Sequence, residues 1–270
     1  MLTATLGGLI KDYRIKKRLS QLEVSLRIGW KDTTRLSKIE QGRVGRPIRK
    51  TLDKIMDALD LNEQEKNMML LSSGTLPSDS EVRGTITKLK KEMKQFQTPV
   101  ILVDYAWRVF YFNKEAKKIF KISNQNCKTL IKKNPNWLEL LFLYKDFFGV
   151  NIKEGYTQEN ILESFEHEIA LFKYEQKNNT GEKWFRDLMS RLSQSDEFRK
   201  LWMKIDVNRY EHLLYEYEFH TITSNWQGGE ETLAFHVFNI HPTFDFRFYL
   251  MIYTPANEHT FKFYQNTQNS

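Results

Sequence analysis

The feature that most constrains this chain is a run of helix stops crowded near its start. Ser20 with Glu23 three residues on forms a capping box, and Gly29 suits the break after the helix it opens, Gln21 to about Ile28. Asp32 can cap the next helix, with Leu36 and Ile39 on its buried side and Gly42 at its C-terminal end. Before them, Leu6, Leu9, Ile10 and Tyr13 share one helical face. After them, Pro47 opens a longer helix with Leu52, Ile55, Met56 and Leu59 inward, and Asn62 to Leu71 makes a fifth. Helices this short are marginal alone in water. Five of them in about 70 residues must therefore pack on one another as a compact all-α module.

Charge points to what this module touches. Residues 1–50 carry thirteen Lys and Arg against four acids, a balance of +9, while the whole chain is +7. The other 220 residues therefore sum to −2. A polyanion partner confined to the N-terminal fifth is one reading; a solvated basic face is the other.

A helix ending in glycine, a short turn, then an amphipathic helix opening on small polar and basic residues is helix-turn-helix geometry. Thr33, Thr34 and Arg35 stand where base edges would be met: threonine bonds several base types, and arginine reads guanine bidentately. Lys38, one turn on, would reach phosphate; Gln21 points at the backbone from a helix N-terminus; Lys31 and Arg43 flank the reading helix. Ser25 is small enough to let two helices approach closely. The bland alternative is a five-helix bundle that binds protein.

The stretches "LSQLEV" and "RLSKIEQGR" resemble the Xre-type helix-turn-helix of phage repressors and their bacterial relatives. The resemblance implies that Glu40 is structural and pairs with Arg14 of the first helix, with Gly42 closing the reading helix. Gly29 to Gly42 is one residue longer than the commonest spacing.

"SSGTLPSDS", Ser72 to Ser80, reads as a linker, and a charged helix follows with Val82, Ile86, Leu89, Met93 and Phe96 in register. "PVILVD" and "WRVFYFN" read as two strands with a turn at Asp104 to Ala106, then "KEAKKIF" as a helix that Asn113 caps. Residues 136–204 read as mostly helical, with possible caps at Thr157 and Ser195. Three strands close the chain: Leu213 to Thr223, Thr232 to Ile240, and Phe244 to Tyr253. The expected fold is an α+β domain with an antiparallel sheet of about five strands behind the all-α bundle. The expected domains are 1–73 for the helix-turn-helix, 74–81 for the linker, 82–258 for the second domain and 259–270 for a C-terminal tail.

"PVILVDYAWRVFYFNKEAKKIF" resembles the opening of a PAS-like sensor. With "SQSDEFRKLWMKIDV" and the final "MIYTP", the second half resembles the ligand-binding domain of MmyB-like transcription regulators. That implies a one-component, non-enzymatic regulator with a PAS-like pocket for a small, apolar effector such as a fatty acyl compound. Trp107, Phe110, Phe112, Phe235, Phe238, Phe248 and Tyr253 are the candidate pocket residues; the alternative is that they fill the core. Arg247 could meet a carboxylate head group or simply be solvated.

No Gly-rich phosphate loop, zinc-spaced Cys/His cluster or recognisable nucleophile–base pair is present, so no cofactor is required and no catalytic residue is expected. His220 and His236 lie on neighbouring expected strands and could meet. A lone cysteine, Cys127, and the lack of a long apolar run fit a cytoplasmic protein with no membrane partner. The expected partners are double-stranded operator DNA, a small-molecule effector and a second copy, since palindromic operators favour two-fold proteins. A regulator controlled instead by a signalling peptide or protein is the competing reading.

Overall fold

A computed structural model describes residues 5–144, 146–155, 165–207, 218–226 and 229–268. They divide into two compact units: residues 1–77 with 241–247, and residues 78–240 with 248–270.

The first unit holds helices α1 (Leu6–Lys16), α2 (Gln21–Ile28), α3 (Thr34–Glu40), α4 (Arg49–Ala58) and α5 (Glu63–Ser72). Caps set their ends: Thr5 accepts the Gly8 N–H, both halves of the Ser20–Glu23 box are formed, and Asn62 boxes with Glu65. Gly29 leaves α2 in the left-handed region at φ 88°, which a side chain would resist. Asp32 accepts the Thr34 N–H through Oδ1 at 2.8 Å, closing the turn before α3. Helix α4 starts at Arg49 rather than at Pro47, because Ile48 is extended and acts as its N-cap.

Ile10, Val24, Leu36, Leu52, Ile55 and Met69 meet at the centre of this bundle. Gly7 is a packing requirement that the charge pattern does not reveal: a Cβ there would lie 2.3 Å from the Ile39 carbonyl oxygen, so α1 and α3 touch backbone to backbone. The 241–247 loop belongs to this unit, with Asn67 Nδ2 donating to the Phe244 carbonyl at 2.7 Å. Arg247 is 1% exposed and forks onto Asp245 at 3.0 and 2.8 Å, so neither solvent nor a ligand head group is its partner here.

The second unit opens with α6 (Asp79–Gln95), capped by Ser78 and Glu81. The last residues of the expected 74–81 linker are thus a helix N-cap and first turn. Strands β1 (Val100–Asp104) and β2 (Val109–Phe112) follow, then α7 (Lys114–Ile119), α8 (Asn124–Leu130), α9 (Trp137–Phe142) and β3 (Asn151–Gly155). Helices α10 (Glu166–Glu175), α11 (Lys183–Leu192) and α12 (Asp196–Lys204) precede β4 (Glu218–Trp226), β5 (Gly229–Ile240), β6 (Phe248–Pro255) and α13 (Glu258–Gln268). The six strands form one antiparallel sheet in the order β2-β1-β6-β5-β4-β3.

The sheet therefore has six strands, not five. Strand β3 lies inside the stretch expected to be helical; its five residues are too few to show a period against the surrounding helices. The last strand starts at Phe248 rather than Phe244, since Asp245 and Arg247 close a loop on themselves. Residues 213–217 of the expected first closing strand, and the Thr157 cap, lie outside the described residues. Ser195 does cap α12, accepting the Phe198 N–H. The expected tail is helix α13, seated by buried Phe263 and Tyr264 and by Thr260 Oγ1 accepting the Ala234 N–H. Its polar composition hides a narrow apolar stripe.

Two cores lie on the two faces of the sheet. Ile101, Val103, Phe235, Met251 and Tyr253 face α7, α9, α10 and α11, while Val100, Leu102, Leu250 and Ile252 face α6. No helix among the described residues is long and apolar enough to cross a membrane.

Candidate functional site

Two places carry recognisable chemistry, one in each unit. In the first, α3 is held from behind. Glu40, at its C-terminal end, is buried; Arg14 reaches it from α1 with Nε on Oε1 at 2.6 Å and Nη2 on Oε2 at 2.9 Å. The same guanidinium donates to the Leu19 carbonyl at 3.0 Å, and Gln21 Nε2 donates to Glu40 Oε2 at 2.8 Å. One carboxylate thus ties three helices together, and a forked arginine fixes its angle as well as its distance. Gln21, read from sequence as a phosphate contact, spends its amide on this pin. Ser25 is fully buried on α2, consistent with close packing.

The opposite side of α3 is open. Lys31, Thr34, Arg35, Lys38 and Arg43 are exposed and Thr33 is half-buried, while Leu36 and Ile39 face the core. The Arg35 guanidinium lies over the Trp30 ring, 4.8 Å from its centroid, which holds a long side chain in place at the head of the helix. This is an exposed cationic helix face on a braced support. It can offer hydrogen bonds and positive charge to a grooved polyanion.

The second place is a cavity on the helix side of the sheet. It is lined by Val103, Tyr249 and Met251 from the strands, by Trp107 and Trp137, and by Glu168, Leu171 and Glu175 from α10, with Asn239 at the end of β5. The free interior is about 10 Å3, room for about one water. Glu168, Leu171 and Glu175 recur at helical spacing and so share one side of α10.

The two tryptophans are placed by backbone. Trp107 sits in the β1–β2 turn at φ 62°, a conformation that a bulky side chain rarely adopts. Asp104 holds that turn, accepting from the Ala106 and Arg108 amides through Oδ1 and from Arg108 Nε through Oδ2. The Trp137 N–H donates to the Trp107 carbonyl at 2.7 Å, and Asn136 Nδ2 donates to the Ala106 carbonyl at 2.6 Å. Gln176 Nε2 reaches the Tyr105 carbonyl at 2.6 Å, fixing the end of α10 to the same turn. Trp107 Nε1 donates to Glu175 Oε2 at 2.7 Å at the solvent edge of the cavity.

Deeper in the same core, His220 and His167 are fully buried, and the Tyr253 hydroxyl lies 3.3 Å from His220 Nδ1. Burial pushes His167 down to about 4. Burial, and then the neighbouring His167, push His220 down to about 3. Both rings are neutral at ordinary pH.

Of the seven aromatic residues expected to line a pocket, only Trp107 does. Phe112, Phe235 and Tyr253 face the same side but fill the core. Phe110 and Phe248 point to the other side and pack edge to face beneath α6, with ring centroids 5.8 Å apart. Phe248 cannot share a face with Tyr253 because strand side chains alternate. A register shift between Leu102 and Val103 turns Phe110 away from Phe112 despite their even spacing. Phe238 is 40% exposed on that other side. His220 pairs with Phe235 and His236 with Phe219, so the two histidines face opposite sides of the sheet and do not meet. The α10 carboxyls and Trp137 escaped the sequence reading; the Glu168–Leu171–Glu175 spacing was the available signal.

Comparison with known families agrees with this division. A helix-turn-helix family model matches residues 10–66, and a model described as the MmyB-like transcription regulator ligand binding domain matches residues 82–265. A search of curated proteins returns no match. Both matched modules bind, one DNA and one a ligand, and neither is an enzyme fold as such. With the second match covering well over half of its length, the chain belongs to the MmyB-like transcription regulators: an Xre-type helix-turn-helix followed by a ligand-binding domain.

Proposed function

We propose that the exposed face of α3 reads an operator in the major groove, with Thr33, Thr34 and Arg35 at base edges and Lys38, Lys31 and Arg43 on phosphates. The observation that carries this is the Glu40 pin: a helix braced by Arg14 and Gln21 from behind presents its free side with little left to order on binding. The chain acts as a homodimer on a two-fold operator. Its second unit answers to a small effector with an apolar body, entering where Trp107 and Trp137 meet α10. Because the free interior holds about one water, such a ligand must displace lining side chains on β5 and β6. That displacement is the signal.

The test is a pair of substitutions read by anisotropy on operator and random DNA across a salt series. Thr34→Ala should cost about 1 kcal/mol on operator alone. Lys38→Ala should weaken both DNAs alike and reduce the salt slope by about one. Equal losses on both DNAs from both substitutions would remove α3 as the reading helix.

A further inference from the structure

We propose that the effector cavity takes a small amine, with an apolar body and an adjoining oxygen acceptor, and that it rejects carboxylates. This rests on the reading of the second unit as the sensor. Its basis is the chemistry of the lining.

The charged groups on the lining are two carboxyls, Glu168 and Glu175, with no Lys or Arg among the described residues that form it. Glu168 is 2% exposed, whereas Glu175 sits at the solvent edge. A ligand carboxylate there would meet two like charges in a partly desolvated space. An ammonium meets the reverse: Coulombic attraction and charge-assisted hydrogen bonds from the same two groups. Trp107, Trp137 and Tyr249 supply the rest of the wall, and aromatic faces attract cations through their quadrupole. Two carboxyls with aromatic walls form a cation site; Val103, Leu171 and Met251 add apolar surface for the ligand's body.

Trp137 points to the oxygen. It is 1% exposed, and its indole N–H has no acceptor in the fold. A buried donor without a partner costs free energy that an acceptor on a ligand would recover. The left-handed backbone of Trp107 fits the same place, because conformational strain in folded chains collects at ligand sites.

The experiment is calorimetric titration of the full chain with three probes of similar body: leucinol, isoamyl alcohol and isovalerate. Leucinol should bind at least about tenfold tighter than isovalerate, with the alcohol between them. Glu175→Gln and Glu168→Gln should each weaken leucinol by about tenfold and narrow its margin over isovalerate. Glu175 is exposed, so its variant should keep the parent melting curve. Trp137→Phe should weaken leucinol by a smaller factor. Isovalerate binding as tightly as leucinol, leucinol affinity unchanged in Glu175→Gln, or no leucinol binding would each overturn the inference. Native mass spectrometry of the purified chain separates this failure from failure of the sensor reading. A copurified acid or neutral adduct would keep the sensor and discard the amine; no adduct and no binding of any probe would discard both.

Discussion

The two units organise function in opposite ways. In the N-terminal unit the working side chains point outward from one short helix, and the structural effort lies behind it, in Gly7, Arg14, Gln21 and Glu40. In the C-terminal unit the working side chains point inward, from a turn, from α9 and α10 and from three different strands, and meet only when the sheet closes over them. A reading head needs rigidity and exposure. A sensor needs enclosed space whose walls can be moved. The first can be built from contiguous sequence; the second requires long-range assembly.

Substitutions can break this contrast, and the largest effect should come from the pin. Glu40→Ala leaves the Arg14 guanidinium mostly buried without its forked partner, and should cost the N-terminal unit about 3 kcal/mol. Thermal unfolding followed by circular dichroism should show one transition falling while the sensor's stays in place. A joint fall would mean that the two units unfold as one.

Gly7→Ala comes next. Its Cβ would meet the Ile39 carbonyl at 2.3 Å, and separating α1 from α3 should cost about 2 kcal/mol in denaturant unfolding. It should also lower operator affinity, since the same contact positions α3. Full affinity at reduced stability would show that α3 is oriented by Glu40 alone.

The smallest effect belongs to the sensor and depends on pH. His167 and His220 are held neutral when folded, at about 4 and about 3, but take a proton near 6.5 when unfolded. Between those values the unfolded chain binds more protons, so stability is intact above 6.5 and declines as pH falls. The decline should approach 1.4 kcal/mol per pH unit for each ring, roughly, once below 6.5. The sensor's transition should drop between about pH 7 and pH 5 and the N-terminal one much less. His167→Gln should flatten the sensor's slope. A flat transition in the parent chain would mean that the rings titrate freely and are not enclosed.

How much of this could be read in advance follows the same division. The five N-terminal helices are visible because each carries its own caps and stripe: Ser20 with Glu23, Gly29, Asn62 with Glu65. The turn at Asp104, the cap at Asn113 and the β5 run are also local and were legible. Strand β3 was not, since five residues between helices carry no period of their own. Helix α13 was not, because its burial rests on Phe263 and Tyr264 finding β5 and β6.

The pocket was the least legible part. Aromatic residues on strands are abundant here, and abundance does not say which face they occupy. Alternation settles Phe248 against Tyr253 only once the strand and its partners are known, and the Leu102–Val103 shift overrides alternation for Phe110. Trp107 stood out in sequence, but its companions Trp137, Glu168 and Glu175 are joined to it by bonds across 30 and 68 residues, such as Asn136 to Ala106 and Trp107 to Glu175.

Sequence alone determined the two-part plan, the basic N-terminal island, the capped helices and the residues available to the reading face. These are properties of neighbours along the chain: charge density, caps and the helical period. Tertiary structure decided which aromatics face α6 and which face the helices opposite, that Gln21 is bound to Glu40, and that two α10 carboxyls meet two tryptophans. Those outcomes depend on strand register and on contacts between distant segments, and no local pattern specifies either.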